Sequence, residues 1–207
     1  MRYLKLRENL KYFTIFTLND IKKIDPDFGR SRLNEWQKKG YIKKIIKNYY
    51  IFSDLKINDT VIFEIANKIY APSYISLEMA LSYYNLIPES VYVITSVSTR
   101  RTYNFNTNIG VFNYRNIRPN VFFGYNIIKN NNNCYKIACP EKAILDFLYY
   151  RSDLYNESNI ELIRINVEEF KEVINQIKFE EYLRIFNNKQ LSKKANILWG
   201  YINNART

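Results

Sequence analysis

Residues 29–52 constrain the fold more than any other stretch. A helical pattern over 29–39 must stop at Gly40, which takes the left-handed conformation of a helix end without steric cost. Two β-branched and aromatic runs, 41–46 and 49–52, follow at once, separated by Lys47-Asn48. That spacing predicts a hairpin, and Asn48 tolerates the positive φ a tight turn requires. Upstream, Leu4, Leu6 and Leu10 are the apolar candidates of a helix over 3–12, and Phe13-Thr14-Ile15-Phe16 predicts a short extended piece. Thr17 is the expected N-cap of a helix over 18–24 carrying Leu18, Ile21 and Ile24 inward, and Pro26 places a turn at 25–29. Helix, extended piece, helix, turn, helix and hairpin in fewer than 60 residues is the order of a winged helix-turn-helix.

The helix over 29–39 has two faces. At 100° per residue Leu33 and Trp36 point to one side, while Arg30, Ser31, Asn34 and Lys38 spread over the other, flanked by Glu35 and Lys39. A recognition helix needs this division: an apolar anchor, and side chains free for base edges. Arg pairs with guanine, Asn with adenine, and Lys with bases or phosphate. Arg32, Lys39 and the hairpin's Lys43, Lys44 and Lys47 are the expected phosphate contacts, which position a protein on DNA without reading its sequence. An ordinary amphipathic helix with a solvated charged face has the same wheel, so the hairpin that follows is what favours DNA.

Charge points the same way. Of the formal net charge of +11, residues 1–56 contribute 14 basic and 6 acidic side chains, so most of the excess lies in the first quarter of the chain. Concentrated basic charge suits phosphate contacts, whose affinity comes from counterion release. Histidine is absent, which excludes Ser-His-Asp and Cys-His nucleophile sites and any His-ligated zinc. Two cysteines, Cys134 and Cys139, are too few for a disulfide scaffold and too few for a metal site. Met1 to Glu8 lacks the apolar core and cleavage site of a signal peptide, and no apolar run is long enough to span a membrane, so a cytoplasmic protein is expected.

The predicted boundary divides a DNA-binding domain, 1–56, from a mixed α+β domain, 57–207, with a polar junction over 54–59. The second domain opens with a helix over 60–70 (Val61, Ile62, Ile65, Ile69, Tyr70) and another N-capped by Ser76. Strands are expected over 91–97, 102–105, 111–115 and 121–128, a surface turn at the asparagine run 130–133, a helix from Pro140 through Tyr150, and a mostly helical tail over 167–203.

No chemistry stands out there. Glu141, Lys142 and Asp146 are better explained by the helix dipole and an i,i+4 pair than by acid–base catalysis. Five scattered glycines give no phosphate-cradling loop. Nineteen tyrosines and thirteen phenylalanines invite base stacking, but their spacing is that of core residues. Arg100, Arg101, Arg115 and Arg118 are a possible second basic surface for flanking DNA or RNA, or else scattered solvated side chains. No cofactor is implied.

Three ordered segments resemble the AbiEi family of antitoxins. The first is 66–89, from Ala66-Asn67-Lys68 through Ser76-Leu77-Glu78 to Pro88-Glu89. The second is Thr95-Ser96-Val97-Ser98-Thr99-Arg100, continuing through Phe105, Thr107, Gly110, Phe112, Tyr114, Arg115, Pro119, Phe123, Gly124 and Tyr125. The third is the helix start Pro140-Glu141-Lys142-Ala143-Ile144-Leu145-Asp146, and the hairpin ending in Tyr50 also matches. The resemblance spans about residues 10–150. Departures are Tyr84-Asn85 where family members often carry His-Gly, Cys139 in place of a capping Ser or Thr, and Lys47-Asn48 in place of Arg-Gly.

The resemblance implies an antitoxin and transcriptional autorepressor in a phage-abortive toxin–antitoxin operon. It would bind inverted repeats in duplex DNA and counter a nucleotidyltransferase-like toxin without a stable complex. The alternatives are a stand-alone transcription factor with a ligand-sensing or assembly domain, a Glu/Asp nuclease using magnesium, and an RNA-binding module.

Overall fold

The structure, a computed structural model, describes residues 1–130 and 133–205. Asn131 and Asn132, the middle of the expected asparagine turn, lie outside the described residues.

The first unit comprises α1 (Tyr3–Asn9), β1 (Phe16–Thr17), α2 (Leu18–Ile24), α3 (Ser31–Lys38), β2 (Ile42–Ile46) and β3 (Tyr49–Phe52). Its sheet has the order β1-β3-β2, antiparallel throughout. Helix α1 is shorter than expected, and of its three apolar candidates Leu6 and Leu10 are buried whereas Leu4 is 78% exposed. Leu6 and Leu10, four apart, share a face, and Leu4 lies about 200° round from Leu6. The extended run 13–16 is mostly not strand. Only Phe16 and Thr17 pair with β3, because Thr14 and Ile15 turn the other way: the Thr14 hydroxyl donates to Glu64 Oε2 at 2.6 Å, and Ile15 packs into the second core.

Thr17 caps α2 reciprocally with Asp20: its Oγ1 accepts from the Asp20 N–H, and Asp20 Oδ2 accepts from the Thr17 N–H. Helix α3 starts two residues later than the pattern suggested and ends before Gly40, at φ +72°. In the hairpin Ile42 pairs with Phe52 and Ile46 with Tyr49, with a bulge between Lys44 and Ile46. Ile42 packs into the core around Leu33 and Trp36 and Ile45 into the core of the large sheet, from opposite faces of the strand, while Lys43 and Lys44 between them are exposed. Asn48 makes the turn at φ +70°.

The second unit runs α4 (Asp59–Ile69), β4 (Ser73–Ile75), α5 (Leu77–Tyr83), β5 (Val93–Ser98), β6 (Tyr103–Thr107), β7 (Gly110–Asn116), β8 (Tyr125–Asn130), β9 (Asn133–Ala138), α6 (Pro140–Tyr150), α7 (Glu157–Glu161), α8 (Val167–Val173), α9 (Gln176–Phe186) and α10 (Lys189–Asn204). Its six-stranded sheet has the order β6-β7-β5-β4-β9-β8, with β5–β7 and β4–β9 parallel and the other pairs antiparallel. The whole chain is therefore mixed α+β.

Two strands were not expected. Ser73-Tyr74-Ile75 is buried on both faces, so it shows no alternation, and β9 lies in the short stretch between the asparagine run and Pro140, where no element was expected. The run 121–128 divides: Pro119–Val121 is a 3₁₀ turn, Gly124 sits at φ +71°, and the strand begins only at Tyr125.

Helix α4 covers one face of the sheet, where the Tyr114 hydroxyl donates to the Ala66 carbonyl at 2.7 Å. Helices α5 and α6 cover the other, backed by α9 and α10. Ser76 occupies the N-cap position of α5 as expected, but its hydroxyl does not cap; it donates to Asp146 Oδ2 at 2.8 Å. Asn85 takes φ +54°, in the left-handed region, and Cys139 precedes α6 with no side-chain cap.

The expected i,i+4 pair Lys142–Asp146 forms, but it is not a surface pair. Both side chains are fully buried, with Lys142 Nζ donating to the Tyr74 hydroxyl at 2.8 Å and to Asp146, and Tyr74 donating to Asp146 Oδ2 at 2.9 Å. Glu141 is buried too. Its Oε1 accepts from the Asn175 N–H at 3.1 Å, and Lys178 Nζ lies 2.9 Å from Oε2. Two cores result, one around Leu33, Trp36 and Phe16, the other around the large sheet. The second also takes Ile15, Ile45 and Ile51 from the first unit, so the two units are packed together.

Candidate nucleic-acid interface

Helix α3 is held from below. Leu33 and Trp36 are buried, Trp36 against Phe28 at 5.3 Å between ring centroids and against Tyr3 at 5.7 Å. With that face fixed, Arg30, Asn34 and Lys38 follow at intervals of four along the outer edge, Ser31 beside them, and all four are exposed. Arg32 is different: it is half-buried, its guanidinium 5.9 Å from the Trp36 ring, so packing holds part of it on the helix flank. Lys39 pairs with Glu35 at 2.7 Å. The hydrogen bond between them lowers the Glu35 carboxyl and raises the Lys39 ammonium from their ordinary values, so this lysine's charge is partly answered within the protein.

Lys43, Lys44 and Lys47 on the hairpin are exposed, and no ion pair with another described residue engages them. Between residues 29 and 47 there are seven basic side chains and one acid, Glu35. The hairpin turn and the start of α3 converge: Arg30, Asn19, Asn48 and Tyr49 line a groove of about 390 Å³ beside Thr17 and Leu18. Asn19 had no signal in the sequence, since its neighbours are set by the hairpin folding back over α2.

The four arginines of the possible second surface part company. Arg100 and Arg101 line a groove of about 560 Å³ with Tyr49, Tyr70 and Tyr103, and Tyr49 belongs to both grooves. Arg100 lies 4.2 Å over the Tyr70 ring and donates to the Ala71 carbonyl at 3.3 Å. Arg115, on the opposite face of the sheet, lines a separate cavity near Phe147 and Arg151. Arg118 donates to the Phe186 carbonyl at 3.2 Å.

Cys134 is exposed and Cys139 buried, both as free thiols, and burial pushes the Cys139 thiol above its ordinary value. Among the described residues no three Cys, Asp or Glu side chains are grouped to hold a metal, and no helix is long and apolar enough to cross a membrane. In comparison with known proteins, no family model matches the chain and no curated protein matches it.

Proposed function

We propose that residues 1–56 form a winged helix-turn-helix that binds duplex DNA at an inverted repeat. Residues 57–207 would then form an AbiEi-type antitoxin domain, and the protein would repress the promoter of its own toxin–antitoxin operon in the cytoplasm. The observation that carries the DNA half is the outer row of α3, Arg30, Asn34 and Lys38, exposed on a helix anchored by Leu33 and Trp36 and flanked by three exposed hairpin lysines. An inserted helix needs free Arg and Asn for bases, and a wing needs free Lys for phosphates. In this reading Arg30, Ser31, Asn34 and Lys38 enter the major groove, while Arg32, Lys39, Lys43, Lys44 and Lys47 meet the backbone. Arg100 and Arg101 reach flanking phosphates across Tyr49. The antitoxin half rests on the three segments that resemble the family.

The test is a gel-shift titration of the full chain on the DNA upstream of its gene, with random duplex as competitor and salt varied. The wild type shifts an inverted repeat specifically, and Arg30→Ala loses that shift. Asn34→Ala relaxes base preference at a cost of about 1–3 kcal/mol, whereas Lys44→Ala weakens all sequences alike and lowers the salt slope by about one. Equal losses on specific and random DNA for both variants would sink the assignment. Growth rescue on co-expression with a nucleotidyltransferase-like protein encoded alongside separates the antitoxin from a stand-alone transcription factor.

A further inference from the structure

A cavity of about 280 Å³ lies on the α5–α6 side of the large sheet and shares no lining residue with the two grooves described above. Its apolar wall is Leu77, Val91, Val93 and Phe147. Three polar groups facing it have unmet capacity. Arg115 reaches it from β7, exposed, and its guanidinium makes no hydrogen bond or ion pair with any described residue. Arg151, also on the wall, is by contrast held by Asp153 through two bonds of 2.9 and 2.7 Å. Glu78 is half-buried and its carboxylate makes no hydrogen bond or ion pair with another described residue, although it lies close enough to Arg151 to help raise that guanidinium. The Asn113 Oδ1 is buried and accepts no hydrogen bond from another described residue.

The backbone is built around the same place. Leu77 takes φ +59°, a conformation that bulky side chains rarely adopt, and Thr95 holds it from both sides. The Thr95 hydroxyl donates to the Ser76 carbonyl at 2.7 Å and accepts from the Met79 N–H at 3.1 Å. A bulky non-glycine residue persists in the left-handed region only where its surroundings over-determine it, and such positions are enriched at ligand sites.

A free guanidinium calls for an anion, a free carboxylate and an orphaned carbonyl oxygen call for an N–H donor, and the remaining wall calls for an apolar body. We propose that this cavity binds a small zwitterion with an apolar side chain, an aliphatic or aromatic α-amino acid. Its carboxylate sits on Arg115, its ammonium on Glu78 and the Asn113 carbonyl oxygen, and its side chain against Leu77, Val93 and Phe147. A simple anion would leave the Glu78 carboxylate and the Asn113 carbonyl oxygen without a hydrogen-bond donor, and a simple amine would leave Arg115 without an acceptor; the pairing of charges therefore sets the ligand class.

Isothermal titration calorimetry of the full chain, without DNA, tests this with leucine and phenylalanine. The comparison ligands are 3-phenylpropionate (no ammonium), phenethylamine (no carboxylate) and inorganic phosphate. At least one amino acid binds, and both 3-phenylpropionate and phenethylamine bind about tenfold more weakly than it or worse, the usual cost of leaving a charged hydrogen-bonding group unmet. Arg115→Ala weakens the amino acid by about tenfold or more, and Glu78→Gln weakens the amino acid but not 3-phenylpropionate. Both positions are solvent-accessible, and a circular dichroism spectrum confirms that each variant folds. No heat with either amino acid at millimolar concentration, equal binding of phosphate, or full affinity in Arg115→Ala overturns the proposal. DNA binding is read separately, so its outcome and this one are distinguishable.

Discussion

Replacing Lys142 by methionine tests the buried network at the centre of the second unit. Lys142 and Asp146 have no exposed side-chain surface, and both are bonded to Tyr74, with Ser76 as a further donor to Asp146. Burial pushes the Lys142 ammonium below its ordinary value despite the opposing pull of Asp146, so the pair is not a net source of stability in proportion to its closeness. Lys142→Met removes the cation and leaves a buried carboxylate with only two neutral donors. Breaking a buried pair from one side costs about 3–5 kcal/mol. That corresponds to a fall in Tm of about 6–20 °C for a chain of this size.

Adding Asp146→Asn to the same protein removes the uncompensated charge and keeps a carbonyl oxygen to accept from Tyr74 and Ser76. The double variant is therefore expected to be more stable than Lys142→Met by about 1–2 kcal/mol. Urea unfolding reads this through Trp199, which packs on Phe170 and Phe179 in the second core, in a Trp36→Phe background that silences the first. A loss under about 1 kcal/mol for Lys142→Met, or a double variant less stable than the single, would refute the reasoning.

Three further outcomes follow from the packing. Gly124→Ala places a Cβ at φ +71° within 2.9 Å of Tyr182 Cε2 and 3.1 Å of Lys142 Cγ, and costs about 2–4 kcal/mol in urea unfolding; a neutral result contradicts the close approach. Burial would raise the Glu141 carboxyl, but Lys178 and the Asn175 N–H outweigh it and hold it below its ordinary value of 4.5. A depressed carboxyl stabilises the fold above its unfolded value and stops doing so as pH falls through its folded one. The stability gap between wild type and Glu141→Gln should therefore shrink as pH is lowered from about 6 to about 3, and a gap that stays constant removes the ion pair as its cause. Thr17→Ala loses the reciprocal cap of α2 and costs about 1 kcal/mol, read through Trp36; no change would mean Asp20 holds the helix start unaided.

Features that a short piece of backbone decides were legible in the residues alone. Thr17 and Asp20 meet because three residues separate a cap from its reciprocal partner, Gly40 and Asn48 turn because they accept positive φ, and Pro140 opens a helix where a missing N–H costs nothing. The outward row of α3 was legible for the same reason, since one helical period sorts Leu33 and Trp36 from Arg30, Asn34 and Lys38.

The remaining features depend on contacts between segments distant along the chain. Tyr74 and its neighbours form a strand only because Ser96 to Ser98 and Ile137 pair on either side, and three residues buried on both faces carry no periodicity to announce it. The i,i+4 spacing of Lys142 and Asp146 specifies a pair but not what covers it, and β4 covers it completely. Arg100 and Arg115 are equally basic in the sequence; pairing β7 between β5 and β6 puts one beside Tyr49 and the other in a cavity on the far face. Spacing along a chain fixes which neighbours a side chain has in its own element, while its surroundings are fixed by segments distant in sequence, whose approach depends on the burial of the whole core.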